Sequence, residues 1–196
     1  MSDVINLDQR QSFLLEQFEN LANFLNTTSF VKNITLRFMK KPSIRGVYLY
    51  GNVGRGKTML MNMFFEMLLV RKEMIHFQKF MQELHKKIHK FQLNDRSDQV
   101  VKKLADEIST RVKVLCIDEF EIKDITDAML VMRLFSFLSS NGVFIFLTTN
   151  IIPDNLYKDG LQRELFLPFI ENIKKNFLVL DLDSEKDYRL EKVADT

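Results

Sequence analysis

Residues 46–65 read GVYLYGNVGRGKTMLMNMFF, and the fold is decided there. GVYLYG is a short apolar run with the β-branched and aromatic residues of a buried strand. From Lys57 onward the apolar run TMLMNMFFEMLL is long enough for a buried helix. Between them GNVGRGKT, residues 51–58, matches the G-x-x-x-x-G-K-[ST] phosphate loop, in the strand-to-helix context that the motif requires. Gly51, Gly54 and Gly56 let the backbone turn and approach phosphate closely, and the chain is otherwise poor in glycine, with six in all. The loop amides form an anion nest and the helix N-terminus adds partial positive charge. Lys57 is expected to reach the β and γ phosphates of a nucleotide, and Thr58 to offer its hydroxyl to Mg²⁺. Gly51, Asn52, Val53, Gly54, Arg55, Gly56, Lys57, Thr58 and Met59 are thus the candidate nucleotide-binding residues.

Working outward, the chain alternates apolar strands with helices. Phe13, Leu14, Phe18, Leu21 and Leu25 give a helix over 9–25, with Asp8 placed to cap it. A basic turn lies around Lys40, Lys41 and Pro42. Strands are expected at MIHF (74–77), KVLCID (113–118), VFIFLTT (143–149) and FLVLDL (177–182). Helices are expected through Phe80, Leu84, Ile88 and Phe91, through Val101, Leu104 and Ile108, and from Asp124 to Ser140. LNDRSD (93–98) reads as a loop, and 155–175 as a helical region bent or interrupted at Pro168. This alternation predicts a five-stranded parallel sheet covered on both faces, with ligands outside the carboxyl ends of the strands. Residues 1–45 form a helical lead-in and 46–196 the phosphate-loop core.

Composition narrows the class further. The 196 residues carry 28 basic and 26 acidic side chains, a net charge of +2, too balanced to advertise nucleic acid or an anionic membrane as partner. The single cysteine, Cys116, excludes an internal disulfide and a cysteine-based zinc cluster. The polar N-terminal MSDVINLDQR is not a secretory signal, and no stretch of 18 apolar residues offers a membrane span.

A second constellation completes the site. VLCIDE (114–119) ends an apolar strand in two acids. Asp118 is expected to hold Mg²⁺ and Glu119 to orient or deprotonate the attacking water, the alternative being two acids on a solvated rim. LTTN (147–150) places Asn150 where it would hold the lytic water or the γ-phosphate; the alternative is an asparagine in a turn before Pro153. Arg163, in GLQRELF, is either a finger on a neighbouring subunit's γ-phosphate or a solvated helix arginine. His85 and His89 lie four apart, but Lys86 stands where a zinc-protease helix has glutamate, so they read as an ordinary helix face. Phe77–Met81 reads either as a substrate-gripping loop or as core at the start of a helix.

With these residues placed, the chain resembles the AAA+ ATPase family of bacterial ZapE and its mitochondrial Afg-type relatives. The resemblance rests on GVYLYGNVGRGKTMLMNMFF, HFQKFMQELHKKIH, VLCIDEFEIKDITDAML, LTTNIIPDNLYKDGLQRELFLPFI and LDLDSEKDYR, from Gly46 to Arg189. It implies an AAA+ core that binds and hydrolyses ATP with Mg²⁺ at a site shared between subunits of a homo-oligomer. Lys57 and Thr58 are then Walker A, Asp118 and Glu119 Walker B, Asn150 the first sensor and Arg163 the finger in trans. The resemblance further implies a protein substrate or division-ring partner and a bacterial cytoplasmic setting, or a mitochondrial one if a transit peptide precedes this chain. Family members continue beyond the DYR element, so the lid is expected to be absent from these residues. Two other readings stay open: a nucleotide-gated interaction module with little hydrolysis, and a small-molecule kinase.

Overall fold

A computed structural model describes residues 7–28, 44–91 and 97–183. Helix α1 spans Gln9–Thr28, followed by β1 (Gly46–Tyr50), α2 (Lys57–Met67), β2 (Lys72–His76), α3 (Phe77–Phe91), α4 (Ser97–Arg111), β3 (Val114–Asp118), α5 (Ile125–Ser140), β4 (Phe144–Thr149), α6 (Leu167–Asn176) and β5 (Phe177–Asp181). The five strands form one sheet in the order β2-β3-β4-β1-β5, every pair parallel. The architecture is the α/β phosphate-loop sheet that the sequence predicts. The basic turn at Lys40–Pro42 and the SEKDYR stretch lie outside the described residues.

Period-2 alternation sends each central strand's side chains to two cores. Tyr48, Leu115, Ile117, Ile145 and Leu147 face a cluster built with α3, α4, α5 and α6. Val47, Leu49, Cys116, Phe144 and Phe146 face a smaller cluster built with α1 and α2. The lead-in helix is part of this second core: Leu14 and Phe18 are fully buried. Phe18, Phe64 and Phe146 form an aromatic triangle with centroids 5.1–5.7 Å apart, joining α1, α2 and β4. Asp8 begins α1 as expected, its carboxylate accepting from the Gln11 amide at 2.7 Å while Gln11 Oε1 accepts from the Asp8 amide at 3.0 Å, a reciprocal capping box.

Three elements differ from their sequence reading. Strand β2 runs 72–76, and Phe77 opens α3 with its ring in the core. Helix α4 starts at Ser97, inside the polar run expected as a loop; helix ends are set by hydrogen bonding that polar composition hides. Residues 153–166 are not one helix but two short 3₁₀ turns, Pro153–Asn155 and Arg163–Leu165, with left-handed backbone at Tyr157, Asp159 and Gln162. Gly160 is required between them, since a Cβ there would lie 2.2 Å from the Tyr157 ring. Pro168 does not interrupt a helix; it sits in the first turn of α6, where its missing N–H costs nothing.

The gripping-loop reading of Phe77–Met81 is overturned. Phe77, Phe80 and Met81 are all buried against the larger core, because the period of α3 aims them inward. Truncating Phe18 tests the place of α1 in the core. Phe18→Ala is expected to lower stability by ~3–5 kcal/mol in urea unfolding; a loss under ~1 kcal/mol would mean that α1 is only loosely docked.

Candidate functional site

The carboxyl ends of β1, β3 and β4 open onto a cleft of about 600 Å³. It is lined by the phosphate loop on one side and by Asp118, Glu119, Thr148 and Asn150 on the other. Strand β4 lies between β1 and β3 and pairs with both. Thr148 pairs with Leu49 in one register, and Leu147 with Ile117 in the other. Asp118 therefore ends β3 level with Thr148, two residues short of where the phosphate loop leaves β1.

The loop takes its shape from backbone. Gly56 caps α2 in the left-handed conformation, φ 87°, which a side chain would strain. Its neighbour Lys57 bends back, and its Nζ donates to the carbonyls of Gly51 and Asn52, both at 2.7 Å. Partial desolvation holds the Lys57 ammonium below the usual lysine value, while Asp183 and Asp118 pull it back up. The far rim is tied down by Asp183, which accepts from the Asn52 amide at 2.6 Å and from Arg55 Nε at 2.9 Å. Gln11 of α1 donates to the Arg55 carbonyl at 2.9 Å, so the lead-in helix also braces the loop. Val53 stands out into solvent, 82% exposed, at the mouth of the cleft.

Thr58, at the start of α2, donates to the Asp118 carboxylate at 3.0–3.1 Å. Asp118 is 3% exposed and also accepts from Thr148, so its burial is compensated by hydroxyl donors. Glu119, by contrast, is exposed at the cleft wall with left-handed backbone, φ 56°. Asn150 follows Thr149 at the end of β4, also exposed and lining the cleft. The loop beyond it is held from behind by the Tyr48 hydroxyl, which donates to the Ile151 carbonyl at 2.8 Å; burial pushes that phenol well above its usual range.

The structure thus gathers Lys57, Thr58, Asp118, Glu119 and Asn150 in one cleft. It does not bring Arg163 there: that side chain belongs to the 3₁₀ turn and donates to the Asp154 carbonyl at 2.5 Å. Met59 faces the α1–α2 core. His85 bonds Asp127 at 2.7 Å across α3 and α5, as an ordinary surface pair. Five cleft residues escaped the sequence reading: Phe120, Glu121, Thr148, Thr149 and Ile151. Thr148 sits inside the LTTN stretch already singled out for Asn150, so adjacency was the available signal. Thr58 and Asp118 supply hard oxygen donors, the ligand chemistry that Mg²⁺ takes alongside phosphate oxygens and water. Among the described residues no group of three or more His, Cys, Asp or Glu is disposed to hold a metal unaided.

The AFG1-like ATPase family model matches residues 3–196. Cell division protein ZapE of Escherichia coli K12 is 42% identical over 152 residues, covering 77% of this chain and 40% of that protein. Lactation elevated protein 1 homolog B of Danio rerio is 40% identical over 154 residues, 74% of this chain and 31% of that one. The chain therefore spans less than half the length of either relative. Among solved structures, domain III of Thermotoga maritima DnaA matches with a TM-score of 0.63 at 17% identity, over 92% of this chain and 65% of that one. DnaI matches with a TM-score of 0.59 at 20% identity, over 96% and 89%. These two share the fold. No helix among the described residues is long and apolar enough to cross a membrane.

The left-handed backbone at Glu119 generates a stability test. Glu119→Gly should leave the urea midpoint unchanged or raise stability by up to ~1 kcal/mol, the strain relieved being offset by a freer unfolded chain. A loss of more than ~1 kcal/mol would mean that the Glu119 side chain supports the fold.

Proposed function

The chain belongs to the AFG1-like ATPase family, and on that premise we propose that it binds ATP with Mg²⁺ and hydrolyses it, the energy serving to remodel a protein partner. One observation carries the reading: the Thr58 hydroxyl and the Asp118 carboxylate are hydrogen-bonded within the cleft that also holds Lys57 and Glu119. This is the pairing of phosphate loop and strand-end acid that nucleotide hydrolysis needs. Two of the solved structures sharing the fold, DnaA with AMPPCP, carry an ATP analogue, which supports ATP as the ligand.

In this mechanism the loop amides and the α2 N-terminus receive the phosphates. Lys57 exchanges its two carbonyl partners for β and γ phosphate oxygens, an exchange of neutral acceptors for charged ones that favours binding. Thr58 and Asp118 would hold Mg²⁺, whose charge neutralises that developing on the phosphates. Glu119 accepts a proton from water as the water oxygen bonds to the γ-phosphorus. The bond from that phosphorus to the bridging oxygen breaks, leaving ADP and inorganic phosphate. Asn150 orients the water or the γ-phosphate from the next strand. Arg163, turned away from its own chain's cleft, acts on the cleft of a neighbouring copy, so the working form is a homo-oligomer. The ZapE relative is named a cell division protein, which supports a division-linked protein as the remodelled partner.

Two results are expected. Lys57→Ala strongly weakens Mg-ATP binding, whereas Glu119→Gln retains binding and loses at least ~10²-fold in turnover, because an amide cannot take the proton. Nucleotide titration together with steady-state phosphate release checks both; a Glu119→Gln protein with wild-type turnover would remove Glu119 from the mechanism. Mixing Arg163→Ala with Lys57→Ala protein should restore activity, since a mixed interface pairs an intact loop with an intact arginine, a charge typically worth ~10³–10⁵ in rate. No rescue, with activity independent of protein concentration, would return Arg163 to an ordinary surface role.

A further inference from the structure

Thr148, 1% exposed, is the penultimate residue of β4 and lies beside Asp118, the last residue of β3, and Glu119, which follows it. Its hydrogen bonds have a forced direction. The Glu119 amide donates to Thr148 Oγ1 at 3.1 Å. An N–H can only donate, so that bond takes a lone pair of the hydroxyl. The single hydroxyl proton is then left for Asp118 Oδ1, with which Thr148 makes a close hydrogen bond. The chain of donation runs from the Glu119 main chain through Thr148 to the Asp118 carboxylate. In addition the Phe120 amide donates to the Thr148 carbonyl at 2.7 Å. Glu119 holds φ 56° without being glycine, and such a backbone persists only where its surroundings impose it.

We propose that Thr148 is a positioning residue of this site: one hydroxyl fixes the rotation of Asp118 and the left-handed backbone of Glu119 together. The proposal deepens the hydrolysis reading and rests on it for its kinetic consequence. Thr148 acts through its two neighbours. Its bond to Asp118 fixes Oδ1, while the Thr58 hydroxyl reaches both carboxylate oxygens at 3.0–3.1 Å and His76 Nδ1 lies 3.7 Å from Oδ2. Thr148 is therefore the donor that distinguishes Oδ1 from Oδ2 on the strand side. Its bond from the Glu119 amide sets the direction in which the Glu119 carboxylate leaves the chain. Valine would keep the shape and the burial of this position but supply neither bond.

The test compares Thr148→Val with Thr148→Ser by amide hydrogen exchange in nucleotide-free protein and by steady-state kinetics. In Thr148→Val the Glu119 amide should exchange at least ~10-fold faster, as loss of its acceptor requires. The Phe120 amide serves as internal control, because its acceptor is a carbonyl that any residue keeps. Thr148→Ser should match wild type at both amides. Turnover should fall ~10²-fold in the valine variant with nucleotide Kd within ~3-fold, and serine should rescue it. Unchanged exchange at Glu119, equal losses for valine and serine, or a Kd that worsens in step with turnover would each overturn the proposal. If wild type does not hydrolyse ATP, the hydrolysis reading falls, and the exchange comparison alone decides whether Thr148 holds Glu119. If the valine variant does not fold, Thr148→Ala against Thr148→Ser makes the same comparison.

Discussion

The hydrogen bond from Thr58 to Asp118 joins two pieces of chain that the sheet keeps apart. Strand β4 runs between the phosphate-loop strand and the acid strand, so neither β1 nor β3 positions the other directly. Both are set by their separate registers with β4. Only because those registers bring Asp118 level with Thr148 does the first turn of α2 meet a carboxylate at 3.0–3.1 Å. A slip of one residue in either ladder would turn every side chain of that strand to the opposite core. The packing of Phe146 against Phe18 and Phe64 on one face, and of Leu147 on the other, forbids such a slip. Register, and through it the site, is therefore held by the two apolar cores.

The polar groups follow the same economy. Asp118 is a carboxylate in a buried position, tolerable because hydroxyls of Thr58 and Thr148 donate to it. Lys57 lies between loop carbonyls that accept from it but carry no charge. The groups proposed to handle anions are thus already gathered and satisfied by protein atoms. On the proposed reading, binding would exchange partners rather than assemble the site anew, which limits the ordering cost of taking up a charged ligand.

Much of this was legible in the sequence because it is local. GNVGRGKT specifies a loop geometry by its glycines, and VLCIDE ends an apolar run in acids, so strand, loop and candidate site residues are all written within a few positions. Asp8 announces its helix by the same local chemistry and caps it as expected, and Asp124, at which a helix is expected to begin, caps α5. What escaped depends on three-dimensional neighbours. Thr148 reads as one more β-branched strand residue until Asp118 and Glu119 are placed beside it. The first part of the helical region expected over 155–175 is instead broken into turns by left-handed residues and the close approach of Gly160 to Tyr157. Phe77, Phe80 and Met81 suit either a gripping loop or a core, and only the facing of α3 decides between them.

Cys116 lies in the middle of β3 with no exposed surface, and burial raises its thiol far above the usual range. The chain has no other cysteine and no tryptophan. In the folded state it is therefore chemically silent toward thiol reagents and optically dark at indole wavelengths. A cysteine or tryptophan introduced in the phosphate loop itself, at the exposed Val53 for instance, would be the sole reporter of its surroundings against an empty background. The interior that keeps the natural thiol out of reach leaves the cleft open to site-specific spectroscopy.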